Sequence, residues 1–99
     1  MVLMEIIWTQ KARFTFFDNI KYLEHYWNDA IAEDFENETL RVLDIVQKNP
    51  HIGRYDEDFG CNVILIVKQI SLLYEIINNE IVLLTFWDNR QKPIKRLNS

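Results

Sequence analysis

Apolar residues in the first half of the chain recur at the spacing of an amphipathic helix. A short apolar run, Leu3 to Trp8, comes first, and the Thr9 hydroxyl that follows can cap a helix N-terminus. The stripe behind it consists of Ala12, Phe16, Ile20, Leu23 and Trp27. Spacings of three and four place these residues on one helix face. A strand leading into a helix is predicted, with Phe16 and Trp27 in the core.

A second helical stripe follows a polar interruption at Asn28 and Asp29. Its members are Ala32, Phe35, Thr39, Val42 and Val46. The pattern stops at Asn49-Pro50, because a residue before proline disfavours helical ψ. Since the connection between the two stripes is short, an antiparallel helical hairpin is predicted.

Three strand-forming runs occupy the second half of the chain. They are Asn62–Lys68, Ile70–Ile77 and Glu80–Trp87. The segment 51–60 before them holds both glycines and no periodicity, so it is predicted to be a loop. Asn78 and Asn79 favour a tight turn of the primed type, because asparagine tolerates positive φ. An antiparallel meander results. Its first strand is apolar on both faces, so we expect a partner chain or a dimer to cover part of the sheet.

Length and composition predict one folded domain spanning residues 1–99. A chain of 99 residues cannot enclose two independent cores, and its hydrophobic share of 48% suffices for one. The single cysteine, Cys61, cannot form an internal disulfide, and Glu5 interrupts the opening apolar run, so no signal peptide is recognised. No apolar run approaches the roughly 18 residues that span a bilayer. We expect a soluble cytoplasmic protein with no membrane partner.

Charge is distributed unevenly along the chain. Residues 88–99 carry four cations against Asp88, so this segment has a charge of +3 and the remainder of the chain has -7. The last apolar strand therefore ends in a basic tail on an acidic body, which weighs against a general nucleic-acid coat. Polar residues that end a buried strand are delivered to a sheet edge. Function is expected at that edge.

The element order and three segments together resemble the RelE/ParE superfamily of toxins from bacterial type II toxin–antitoxin modules. The segments are IIWTQKARFTFFDNIKYLEHYW, VLDIVQKNPHIGR and ISLLYEIINNEIVLLTFWDNRQKP. The resemblance implies an α+β fold in which the N-terminal strand and the three-stranded antiparallel meander form one twisted four-stranded sheet against the helical hairpin. It also implies a cognate antitoxin that wraps the toxin, which would account for the excess apolar surface.

The superfamily contains two kinds of activity. RelE-like members cut messenger RNA in the ribosomal A site, and ParE-like members poison DNA gyrase. RelE-like enzymes share basic residues on the first meander strand, an arginine early in the second, and an arginine followed by tyrosine or histidine after the last. The corresponding positions here are Asn62, Ile64, Ser71 and Arg90, of which only Arg90 matches. The resemblance thus implies a ParE-like toxin that binds its target. A ribosome-dependent mRNA endonuclease and an inert antitoxin-binding relative are the alternatives.

Candidate site residues follow from this comparison. The residues predicted to contact the target are Lys68, Arg90, Lys92, Lys95 and Arg96. If the chain is a metal-free endoribonuclease, Arg90 would hold the scissile phosphate. A basic tail that only solubilises the protein is the alternative. No Cys-x-x-Cys, His-x-x-x-His or glycine-rich phosphate loop occurs, so neither a metal site nor any other cofactor is expected. The assembly is expected to be a homodimer or a toxin–antitoxin hetero-oligomer.

Three other residues carry separate expectations. Asp88 is expected to form a local salt bridge or turn with Arg90. Tyr74 is expected in the core, with its hydroxyl bonded to a polar partner. Cys61 has no basic neighbour in the sequence that would lower its pKa.

Overall fold

The computed structural model describes residues 3–90 and contains two helices and five strands. The elements are β1 (Glu5–Trp8), α1 (Gln10–Tyr26), α2 (Asp29–Lys48), β2 (Arg54–Asp56), β3 (Cys61–Val67), β4 (Ile70–Ile77) and β5 (Glu80–Asp88). No helix within this part of the chain is long and apolar enough to cross a membrane.

All five strands form one mixed sheet in the order β1-β5-β4-β3-β2. The predicted meander is present, since β3, β4 and β5 pair antiparallel. The N-terminal strand β1 lies beside β5 and parallel to it. The predicted four-stranded sheet is therefore wrong in one respect, because β2 pairs antiparallel with β3 and adds a fifth strand at the far edge. Strand β2 has only three residues, and two of them, Arg54 and Tyr55, are exposed. Its sequence therefore has no alternating apolar pattern, which is why a loop is predicted for this segment.

Each helix begins directly after a side chain that caps it, and the first of these, Thr9, is the cap that the sequence suggests. The Thr9 side chain accepts a hydrogen bond from the Ala12 N–H at 3.0 Å, and the Asn28 side chain accepts one from the Ile31 N–H at 2.9 Å. Helix α1 ends at Tyr26, and Trp27 follows it as a non-helical residue that is 51% exposed. The prediction that Trp27 belongs to the core is wrong, because the helical period stops one residue before it.

The core lies between the helices and one face of the sheet. An aromatic cluster occupies its centre: Phe16 and Phe35 from the two helices and Phe86 from β5 have ring centroids 5.2–5.9 Å apart. Trp8 of β1 joins them at 5.6 Å from Phe86. Each such pair contributes about 0.5–1.5 kcal/mol beyond the burial of its area, so this cluster fixes how α1 sits on β5.

Specific side chains fix two of the connections between elements. Asn78 and Asn79 have φ values of 49° and 65°, which confirms the predicted primed turn between β4 and β5. The Tyr74 hydroxyl donates to the Pro50 carbonyl at 2.8 Å and accepts from the Gly53 N–H at 3.0 Å. Tyr74 is fully buried, so the expected polar partner exists and holds the connection from α2 to β2.

The second face of the sheet is covered in part by the chain itself. Phe59, in the connection from β2 to β3, packs its ring edge-on against Trp87 of β5 at 5.2 Å between centroids. Leu73, which points away from the helices, is 4% exposed, whereas Leu65 and Ile77 are 58% and 42% exposed. Part of the apolar surface noted in the sequence is therefore buried by the connection from β2 to β3, and part remains open to solvent.

Candidate functional site

Helix α1 lies along an edge of β5 that no strand covers. The last residue pair between β1 and β5 joins Trp8 to Leu83, so the following residues of β5 lack a strand neighbour on that side. Polar side chains of α1 take its place. The Phe86 N–H donates to the Thr15 hydroxyl at 2.9 Å, and the Asn19 amide donates to the Phe86 carbonyl at 3.1 Å. These bonds satisfy backbone groups that would otherwise be buried without partners.

A cleft opens between α1 and the final residues of β5, where these hydrogen bonds end. Its volume is about 420 Å³. Charged and aromatic side chains line it, among them Lys11, Asp18, Tyr22, Trp87 and Asp88. The cleft therefore combines one cation and two carboxylates with three aromatic residues, at the edge where the sequence predicts function.

Arg90 contacts two of the residues that line this cleft, Asp88 and Tyr22. Its Nε donates to Asp88 Oδ1 at 2.9 Å, and its Nη2 pairs with Asp88 Oδ2. Its Nη1 donates to the Tyr22 hydroxyl, and the guanidinium carbon stands 3.7 Å from the centroid of the Tyr22 ring. The expected pairing of Asp88 with Arg90 is confirmed. The Arg90 side chain is nevertheless 40% exposed, so part of it still faces solvent.

Asn89 ties the backbone before Arg90 to the turn between β3 and β4. Its N–H donates to the Gln69 carbonyl at 2.8 Å, and its side-chain amide donates to the Lys68 carbonyl at 3.3 Å. The Ser71 hydroxyl in turn donates to Asn89 Oδ1 at 3.2 Å. The fold thus brings Lys68, Ser71 and Arg90 to one corner of the sheet.

The other positions taken from the family comparison lie elsewhere. Asn62 is paired with Tyr74 and Ile64 with Leu72, farther along the sheet from the pairing of Ile70 with Asp88 that marks the Arg90 end. The predicted contact residues Lys92, Lys95 and Arg96 lie outside the described residues.

Asn62 belongs to a second cavity, of about 490 Å³, whose walls also carry His51, Tyr55, Cys61 and Glu75. Burial raises the pKa of the Cys61 thiol to about 11, and the nearby carboxylates of Glu75 and Asp56 add to this shift. The thiol is therefore protonated at neutral pH and is a poor nucleophile. Among residues 3–90, no three histidine, cysteine or carboxylate side chains come together as a metal site would require.

Tyr22 is the site residue that sequence reasoning missed. It lies off the apolar stripe of α1, beside Tyr26, with 4.6 Å between the two ring centroids. A signal was present in the sequence: Thr15, Asn19 and Tyr22 recur at spacings of four and three, which defines a polar line along α1 next to the apolar one. The Thr15 and Asn19 side chains bond to Phe86 of β5, and the Tyr22 hydroxyl bonds to Arg90.

Comparison with solved structures finds a similar chain in "Chromosomal ParDE TA system from P. aeruginosa". The TM-score is 0.72, with 18% sequence identity, over 87% of this chain and 96% of that chain. The present chain has the fold of that ParDE chain. No family model matches the sequence, and no curated protein matches it either. The predicted RelE/ParE-like architecture is thus confirmed as a fold, with the fifth strand as the correction.

Proposed function

We propose that this chain is the toxin of a type II toxin–antitoxin module, which arrests growth by binding a cellular target and is neutralised by a cognate antitoxin. The observation that carries the proposal is the fold shared with a chain of a ParDE toxin–antitoxin system over nearly the full length of both. The proposed target is DNA gyrase, as for ParE-like toxins.

The chemistry of the cleft supports binding rather than turnover. Metal-free RNA cleavage needs a base for the 2′-hydroxyl, an acid for the leaving oxygen and cations for the phosphorane. Ile64 and Ser71 supply no charge at the positions where RelE-like enzymes have basic residues, and Asn62 lies on a different cavity. Arg90 remains as the proposed contact with the target. The Lys68 backbone carbonyl accepts a hydrogen bond from the side-chain amide of Asn89, the residue before Arg90.

An exposed aromatic surface on α1 supports the antitoxin as a partner. Phe14 and Phe17 are 65% and 58% exposed, although an amphipathic helix normally presents polar residues to solvent. Phe17 also borders a shallow, mostly apolar pocket that Trp8 and Phe16 line. Such a surface is suited to the apolar face of a partner segment. We propose that the antitoxin covers it.

One observation favours a second candidate function, a RelE-like ribosome-dependent endonuclease. The sequence after Arg90 has no tyrosine or histidine, but the fold places the Tyr22 hydroxyl against the Arg90 guanidinium. In that function Arg90 would hold the scissile phosphate, and the Tyr22 hydroxyl would serve as an acid–base group of the cleavage reaction.

Purified protein separates the two activities. We expect the wild type to inhibit gyrase supercoiling and to leave transcripts intact in a translation extract, and we expect Arg90→Ala to lose the inhibition. Arg54→Ala is the matched control, because Arg54 is also an exposed arginine beside an aspartate, Asp56, but on the opposite edge strand. Transcript cleavage that disappears in Arg90→Ala would replace the ParE-like proposal with the RelE-like one.

A further inference from the structure

We infer that Tyr22 is a positioning residue that orients Arg90 for its contact with the target; this inference rests on the proposed function. The two residues are 68 positions apart in the chain and belong to different elements. The recognition unit is therefore not the polar end of β5 alone. It includes the last turns of α1.

Arg90 needs such orientation because it lies two residues beyond the end of β5. A long arginine side chain in this place samples many rotamers, and each must be given up on binding. Asp88 restricts the Nε side of the guanidinium, and the Tyr22 hydroxyl restricts Nη1. The Tyr22 ring, 3.7 Å below the guanidinium carbon, fixes the plane of the group. Together these contacts define one orientation before the target arrives.

The same contacts leave donors for the target. A guanidinium has five N–H donors, of which Asp88 occupies two and Tyr22 one. Among the described residues, one N–H on each terminal nitrogen of Arg90 is left. These two donors are available to oxygen acceptors of the target.

Tyr22 also orients Arg90 without cancelling its charge. The ion pair with Asp88 holds the guanidinium against its own strand and offsets part of its charge. The ring face and hydroxyl of Tyr22 are neutral, so they add direction without offsetting the charge further. Tyr26 packs against Tyr22 and contacts its ring at 4.6 Å between centroids, which makes Tyr26 a neighbour of similar size for use as a control.

A double-mutant cycle tests this coupling, with toxicity read as the inducer concentration that halves growth at matched protein levels. Tyr22→Leu removes the ring and the hydroxyl, and we expect it to raise that concentration about fivefold, with a smaller rise for Tyr22→Phe. In the Arg90→Lys background, which keeps the charge but loses the planar fork, Tyr22→Leu should add little. Tyr26→Leu should change toxicity less than twofold in either background.

A spectroscopic measurement checks the geometry separately from toxicity. The side-chain Nε–H of Arg90 should show an NMR shift displaced by the ring current of Tyr22. The displacement should persist in Tyr22→Phe, disappear in Tyr22→Leu and be nearly unchanged in Tyr26→Leu. Thermal melts of the same variants establish that each is folded.

The inference and the proposed function fail in different ways. A toxic wild type whose folded Tyr22→Leu variant is equally toxic would overturn the inference and leave the proposed function intact. An equal loss of toxicity from Tyr22→Leu with and without Arg90→Lys would also overturn it, because Tyr22 would then act independently. A wild type that is not toxic would overturn the proposed function, and with it any role of Tyr22 in target contact.

Discussion

Replacing Thr15 by valine tests whether α1 substitutes for a strand along the edge of β5. Valine has nearly the same shape, but it removes the oxygen that accepts the Phe86 N–H at 2.9 Å. Phe86 is only 2% exposed, so water does not easily replace the lost partner. Leaving a buried donor unsatisfied costs about 1–3 kcal/mol. The free energy of unfolding should therefore fall by about 2 kcal/mol, at the centre of that range.

Chemical denaturation and thermal unfolding measure this loss. For a domain of this size 1 kcal/mol corresponds to about 4–8 °C in Tm, so Tm should fall by about 8–16 °C. Thr15→Ser is the control, because it keeps the hydroxyl and loses one half-buried methyl group, which should cost less than about 0.8 kcal/mol. Hydrogen exchange at the Phe86 amide should accelerate only in Thr15→Val. Equal stability of the valine and serine variants would refute the idea that α1 satisfies this edge.

Three further outcomes follow from the geometry. A Cβ on Gly53 would come within 2.6 Å of the Tyr74 hydroxyl, so Gly53→Ala should destabilise the fold by about 1–3 kcal/mol in a denaturant titration; the cost should shrink in a Tyr74→Phe background. Cys61 should resist alkylation at pH 8 in the native state and react after unfolding, since its thiol pKa is raised to about 11. The Cys61 pKa is higher in the native state than in the unfolded state, so the free energy of unfolding should fall as pH rises from about 9 to about 11. The fall should be smaller in Cys61→Ala, and equal pH profiles for the two proteins would contradict this.

The sequence predicts the helices and the meander because their patterns are long. Residues such as Leu23 and Phe35 recur at the helical period over several turns and are fully buried. Strand β2 escapes prediction because pairing with β3, rather than any pattern of its own, makes it a strand. Trp27 fits the apolar spacing of α1, but the chain leaves the helix at that residue. Periodicity alone therefore predicts which face of a helix is buried, but it does not predict the residue at which the helix ends.

The site was predicted only where it is local in sequence. Asp88 and Arg90 are two residues apart, and their pairing is confirmed. Tyr22 reaches Arg90 only because the hydrogen bonds of Thr15 and Asn19 fix α1 along β5, and that alignment is a property of the tertiary fold. An apolar stripe shows which face of α1 is buried. It does not show which strand's backbone groups the neighbouring polar side chains of α1 will bond.

We propose that this chain is a toxin that acts through the Arg90 end of the sheet. Growth after induced expression, without any partner gene, tests it most directly in three strains: wild type, Arg90→Ala and Arg54→Ala. We predict arrest with the wild type and with Arg54→Ala, and growth with Arg90→Ala at equal protein level. Normal growth of the wild-type strain, or arrest by Arg90→Ala as strong as that of the wild type, would contradict the account.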